Sequence, residues 1–78
     1  GFVELSPAAK LAWQQEAEGV VVYANGQSQG FPGSVLPSLL ELCGTWRLDG
    51  ESLIDALADP GRADLLDYLL ETGCVYVE

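Results

Sequence analysis

The chain has 78 residues, with twelve carboxylates, three basic side chains and no histidine. This length predicts one small domain, and the missing histidine excludes histidine-based catalytic triads, two-histidine metal sites and histidine general bases from the chain itself. A formal charge of −9, with only Lys10, Arg47 and Arg62 as cations, argues against binding to DNA, RNA or a membrane surface and is compatible with a basic protein partner.

The N-terminal residues predict extended structure. Phe2–Leu5 is a short extended run that ends at Ser6-Pro7, where the proline restrains the preceding residue to extended geometry. Leu11–Trp13 is a second run, and the polar residues 14–18 predict a connection after it.

The strongest predicted strand is Gly19–Ala24, because its three consecutive valines are β-branched. Both of its faces are apolar, so we expect both to be covered. Asn25-Gly26 is the commonest residue pair for a type I′ turn, which predicts a hairpin with residues 27–29 as the returning strand.

A first helix is predicted after Ser34, which we expect to be its N-cap. Pro37 falls in the first turn, where its missing N–H costs nothing, and Gly44 is expected to end the helix in left-handed geometry. Apolar residues recur along it at helical spacing; they are Val35, Leu36, Leu39, Leu40 and Cys43.

Two further helices are predicted from their caps. Asp49 is expected to cap the second helix, which carries its apolar residues Leu53, Ile54 and Leu57 inward. Asp59 is expected to cap the third helix, with Pro60 at its first position.

The third helix is expected to stop at Gly73, and Cys74–Val77 predicts a closing strand. Its apolar residues are Ala63, Leu65, Leu66, Leu69 and Leu70. The fold class predicted for 1–78 is therefore α+β of winged-helix type, with N-terminal antiparallel strands and a hairpin, three short helices and a closing strand. No initiator methionine is present, so we expect the domain to be a piece of a longer protein, although a processed N-terminus would give the same sequence.

Two cysteines do not make a disulfide framework, which favours the cytoplasm. Cys43 and Cys74 both lie beside apolar residues, so both are predicted to be buried free thiols. Neither has a histidine to activate it as a nucleophile.

Carboxylates are the only abundant reactive groups, so the candidate site depends on them. At about 100° per residue, Asp64, Asp67 and Glu71 fall within about 60° of one another on the third helix, opposite its leucines. This face is compatible with a basic partner, and the alternative is a hydrated surface that only contributes solubility. The sequence predicts no catalytic, cofactor-binding or metal-ligating residue.

Several segments together resemble a known family; they are residues 2–7, 11–13, 22–28, 39–44 and 69–76. The chain resembles the C-terminal winged-helix domain of bacterial ribosomal oxygenases, which are JmjC-type, cupin-fold hydroxylases of a ribosomal-protein arginine that depend on Fe(II) and 2-oxoglutarate. The resemblance covers nearly all of the chain. Its most distinctive element is the turn Asn25-Gly26-Gln27-Ser28 between a strand and the leucine-rich helix.

The resemblance implies a non-catalytic accessory domain that packs against the rest of the parent enzyme and helps to present a basic substrate. The family's iron signature, His-x-Asp with a distant second histidine, has no counterpart in a chain without histidine. Fe(II) and 2-oxoglutarate are therefore implied for the parent and not for this chain, which we expect to bind neither.

The alternative is a peptide-recognition domain similar to the PQQ-biosynthesis chaperone, which also has early strands and three helices in a winged-helix-like fold. In that family a leader peptide adds as a strand beside the sheet. The sequence upstream of Gly1 discriminates between the two, because only an oxygenase carries a cupin domain with iron ligands there.

Overall fold

Six strands and three helices account for most of residues 2–77, the part of the chain that the computed structural model describes. The strands are β1 (Phe2–Leu5), β2 (Leu11–Glu16), β3 (Gly19–Ala24), β4 (Gln27–Phe31), β5 (Arg47–Asp49) and β6 (Val75–Val77). The helices are α1 (Leu36–Thr45), α2 (Gly50–Ala58) and α3 (Pro60–Glu71), and a short 3-10 helix over Gly33–Val35 leads into α1. The α+β class is confirmed, while the winged-helix assignment stays a prediction. None of these helices is long and apolar enough to cross a membrane.

The strands form two three-stranded antiparallel sheets. In the first sheet, β1 lies between β5 and β6, with Val3 opposite both Leu48 and Val77. In the second sheet, β3 lies between β2 and β4. Strand β5 was not predicted because its three residues are too few for an alternating pattern to be recognised.

Strand β2 is longer than its apolar residues indicate. Residues 14–16 continue the pairing with β3 as far as the pair of Glu16 with Gly19. The polar connection predicted over 14–18 is therefore wrong, and two residues join the strands. Backbone pairing along β3 does not depend on side-chain polarity, and the three polar side chains stay exposed.

Only one face of β3 is well covered. Val20, Val22 and Ala24 are buried, whereas Tyr23 on the opposite face keeps 44% of its surface exposed. The expectation that both faces would be covered is wrong, because the core lies on one side of this sheet, as is common for antiparallel sheets.

The β3–β4 hairpin is confirmed. Asn25 and Gly26 have φ values of +49° and +87°, as a type I′ turn requires, and β4 continues to Phe31. The Asn25 side chain also holds two other segments: Oδ1 accepts a hydrogen bond from the Lys10 N–H at 2.9 Å, and Nδ2 donates one to the Thr72 carbonyl at 2.7 Å. The turn therefore connects the second sheet to the end of α3.

Helix α1 begins and ends later than predicted. Ser34 lies in the 3-10 helix, and its hydroxyl donates to Asp59 Oδ2 at 3.3 Å and does not cap α1. Pro37 is in the first turn, as expected. At the other end the helix passes Gly44, and Trp46 takes the left-handed conformation with φ +68°.

The N-cap predicted for α3 is confirmed, including its capping hydrogen bond. The N-cap predicted for α2 is at the expected residue but lacks that hydrogen bond. Asp59 Oδ2 accepts a hydrogen bond from the Arg62 N–H at 3.1 Å, and Pro60 is the first helical residue. Asp49 precedes α2 but makes no capping bond, and its carboxylate pairs with Arg47 at 2.9 Å.

Helix α2 packs through its smallest apolar side chain. Ala56 is fully buried and Leu53 is half-buried against the core, whereas Ile54 and Leu57 are 66% and 59% exposed. The inward orientation predicted for Ile54 and Leu57 is therefore wrong. The contact face of this nine-residue helix is narrow and centres on Ala56.

Helix α3 carries much of the core, and its Leu65, Leu66 and Leu69 are buried. The Tyr68 hydroxyl donates to the Val22 carbonyl at 3.4 Å, and its ring centre lies 5.5 Å from that of Phe31. Gly73 follows the helix with φ +80°. The largest fully buried side chains are Leu39, Leu42, Leu48, Leu65, Leu69, Val22, Val35 and Cys74.

We expect Trp46→Gly to be more stable than Trp46→Ala by about 1 kcal/mol, the reverse of their order in a helix interior. Both variants lose the same half-exposed indole, so the difference reports the left-handed backbone, which costs a residue with a Cβ roughly 1–2 kcal/mol. Urea unfolding measures both. A more stable alanine variant would show that residue 46 is not left-handed in solution.

Candidate functional site

The acidic face of α3, formed by Asp64, Asp67 and Glu71, is the candidate site that the sequence predicted. All three residues are exposed, as expected. The buried residues of the helix occupy the other side; they are Leu65, Leu66, Tyr68 and Leu69. Because that side is packed into the core, the helix holds the three carboxylates on a rigid element.

The charge of the acidic face is not neutralised within residues 2–77. The salt bridges there join Arg47 to Asp49 at 2.9 Å and Arg62 to Asp59 at 3.8 Å, and neither includes a carboxylate of the acidic face. Arg47 also lies 4.0 Å over the Phe2 ring, and the Arg62 Nε donates to a backbone carbonyl at 2.8 Å. Two of the chain's three cations are therefore engaged elsewhere.

A concavity of about 460 Å³, here called the end basin, opens at the end of the second sheet where β2 turns into β3. Val21 and Gly30 pair directly across β3 and β4 beneath it, and Pro32 gives it an apolar wall. Glu16 and Glu18 line it on the β2 side. A Cβ at Gly30 would meet no atom within 4 Å, so the space over this residue is open.

Strand β4 borders the end basin and has an open edge. It pairs with β3 and with no other strand of residues 2–77. The two-residue turn makes Ala24 and Gln27 a hydrogen-bonded pair, so the alternation points the N–H and C=O groups of Ser28 and Gly30 away from β3. No other backbone hydrogen bond found in residues 2–77 engages either residue. Residues 27–30 also carry no charge or proline, which commonly protect an edge.

The two cysteines differ in burial. Cys74 is buried as predicted, but Cys43 is exposed because the buried side of α1 centres on Leu39 and Leu42. Both thiols are free. Partial burial of the sulfur nevertheless raises the pKa of the Cys43 thiol, which lowers its thiolate fraction and so its reactivity near neutral pH.

The iron site implied for the parent does not fit the residues of this chain. The chain has no histidine, and residues 2–77 contain no group of three or more cysteine, aspartate or glutamate side chains that could hold a metal ion. No step of an iron-dependent reaction is therefore assigned to these residues.

The end basin and the β4 edge were not identified from the sequence. A signal for them was present, because the Asn25-Gly26 turn fixes the register of the hairpin. Counting residues outward from that turn pairs Val21 with Gly30. Because Gly30 has no side chain, the sheet surface is open at this position. The position of Glu16 in the sheet could not be predicted in the same way, because β2 was expected to end at Trp13.

In comparisons with known proteins, no family model, curated protein or solved structure matches the chain.

Proposed function

We propose that the chain is a non-catalytic accessory domain of a ribosomal oxygenase and that its acidic face binds a basic segment of the ribosomal protein substrate. The observation that carries this proposal is the uncompensated charge of Asp64, Asp67 and Glu71, which are exposed on one side of a firmly packed helix. Proteins that bind nucleic-acid phosphates carry lysine and arginine, so a ribosomal protein is attracted to such a face.

The accessory role has separate support from α2. Ile54 and Leu57 are adjacent on that helix, one turn apart, and both are more than half exposed. Exposed apolar pairs of this kind support packing against another part of the same protein. In this proposal the rest of the parent covers α2 and holds Fe(II) and 2-oxoglutarate, while this chain binds and orients the substrate protein in the cytoplasm.

We expect D64N/D67N/E71Q to slow association with a basic large-subunit ribosomal protein by about tenfold at low ionic strength, because the steering field of the face is removed. The three changes move the formal charge from −9 to −6, since each removes one negative charge. The loss should shrink as salt rises, because salt already screens the attraction in the wild type. Stopped-flow or surface-based association rates at several salt concentrations measure this.

The matched control is E41Q/E51Q/D55N, which has the same net charge but alters α1 and α2. It should slow association much less than the α3 variant. Equal rates for the two variants would mean that only net charge matters and would refute a specific role for the acidic face.

A second candidate function is peptide recognition by strand addition, as in the domains similar to the PQQ-biosynthesis chaperone. The observation that favours it is the open β4 edge, where Ser28 and Gly30 present unpaired backbone groups. The gene that encodes the chain separates the candidates. A His-x-Asp motif and a distant histidine upstream of Gly1 support the oxygenase, whereas a start near Gly1 or a fused peptide-modifying enzyme supports the recognition domain.

A further inference from the structure

We propose that the β4 edge and the end basin together bind one extended basic segment, which adds to the second sheet as a strand and lays a lysine or arginine side chain across Gly30 into the basin. The inference rests on the proposed function in taking the partner to be basic. The surface is a different one, since the acidic face belongs to α3 and the basin to the second sheet.

The open edge of β4 determines where the backbone of the bound segment lies. Ser28 and Gly30 each offer an N–H and a C=O on the open edge, which is the spacing that an antiparallel strand needs for two pairs of ladder bonds. Residues directly opposite each other in such a pair put their side chains on the same face. The residue of the segment opposite Gly30 therefore projects its side chain over Gly30, on the side where the basin opens.

The distance across the sheet selects a long side chain. Strands lie about 4.8 Å apart, so an added strand would be about 10 Å from β3 and about 14 Å from β2. A side chain that starts opposite Gly30 must cross β4 and Val21 before it approaches Glu16 and Glu18. No single side chain covers that whole distance, but lysine and arginine are the longest. Their methylene stems can pack on Val21 and Pro32, and the charged end then faces Glu16 and Glu18, which line the basin on the β2 side.

The charge of the basin fits a cation and disfavours a second copy of the chain. Glu16 and Glu18 are exposed, and neither takes part in a salt bridge within residues 2–77. A carboxylate pair of this kind can accept charge-assisted hydrogen bonds from a guanidinium or ammonium group. Two copies of a chain with a net charge of −9 repel each other, so the open edge is better matched to a basic segment than to itself.

The test uses short extended peptides of alternating threonine and valine with a central arginine, and the same peptides with citrulline in its place. By calorimetry at low ionic strength, we expect the wild-type chain to prefer arginine by about tenfold, as a charge-assisted hydrogen bond predicts. Gly30→Val should abolish that preference, because its side chain fills open space in the basin. In NMR spectra, the amide protons of Ser28 and Gly30 should become protected when the peptide binds.

Ala12→Val is the matched control, since it enlarges an exposed apolar side chain on the same face of the second sheet at a residue that neither lines the basin nor lies on the β4 edge. It should keep the preference. E16Q/E18Q adds no atoms to the sheet and should lose it, with E41Q/E51Q as its charge-matched control.

The proposal is overturned if the wild type binds both peptides equally or neither of them, or if both Gly30→Val and E16Q/E18Q keep the preference for arginine. If Gly30→Val and E16Q/E18Q keep the preference for arginine while D64N/D67N/E71Q slows association with the ribosomal protein, the basin proposal fails and the proposed function stands. If the peptide results are as expected but that α3 variant behaves like its control, the basin proposal stands and the role of the acidic face fails.

Discussion

Leu69→Ala is expected to lower the free energy of unfolding by about 2–5 kcal/mol, which is a large part of the stability of so small a domain. Leu69 is fully buried in the last turn of α3, so the shortened side chain loses its apolar burial and leaves a cavity that the packed surroundings fill only in part. Urea unfolding followed by circular dichroism measures the change.

The neighbouring residue supplies the control, because Leu70 lies on the same helix and is 38% exposed. Leu70→Ala makes the same chemical change at a position where the side chain is only partly buried, so we expect it to cost about 1 kcal/mol or less. Similar losses for the two variants would mean that α3 is rotated about its axis relative to the arrangement described above.

Gly19→Ala is expected to destabilise the domain by about 2–3 kcal/mol, because a Cβ has no room at the start of β3. A Cβ on Gly19 would overlap the carbonyl oxygen of Phe31, which is backbone and cannot swing aside as a side chain can. Its φ of +158° is also one that residues with a side chain rarely adopt. Either β3 or β4 would have to move, which would disturb their pairing.

Gly30→Ala is the control for that substitution, since it lies in the same sheet and a Cβ there meets no atom within 4 Å. We expect its effect on the free energy of unfolding to be within about 0.5 kcal/mol, or slightly stabilising because alanine is less flexible when unfolded. Thermal unfolding of both variants decides the point, and equal losses would contradict the close approach at Gly19.

The sequence predicts those parts of the fold that are governed by a few neighbouring residues. Asn25-Gly26 specifies its own turn geometry, and Asp59-Pro60 combines a capping carboxylate with a proline in the position that tolerates it. Each signal works through backbone atoms within a few residues, so distant parts of the chain do not change its outcome.

Features that depend on distant parts of the chain were predicted less well. The neighbouring residues predicted that α1 ends at Gly44. The helix instead continues to Thr45, because the left-handed residue Trp46 leads directly into β5, whose partner strand β1 is distant in the sequence. Ile54 and Leu57 have the spacing of a buried face, yet α2 is positioned by β5 and α3 so that Ala56 faces the core.

The acidic face and the end basin differ in the same respect. The acidic face follows from angular spacing on one helix, so Asp64, Asp67 and Glu71 could be grouped without any tertiary information. The end basin requires three strands in register, and one of them, β2, gains its Glu16 only through pairing with β3. Spacing along a single element cannot identify a site of that kind.

The two sheets differ in how much of the chain must be present before each can assemble. The second sheet is drawn from one continuous stretch, residues 11–31, whereas the first joins β1 to β5 and to β6, so that Val3 meets Val77. Closing short loops costs less entropy and happens sooner than closing long ones. We therefore expect the second sheet to form early, even while the chain is still leaving the ribosome, and the first sheet to complete the fold only after the last strand is free to return to β1.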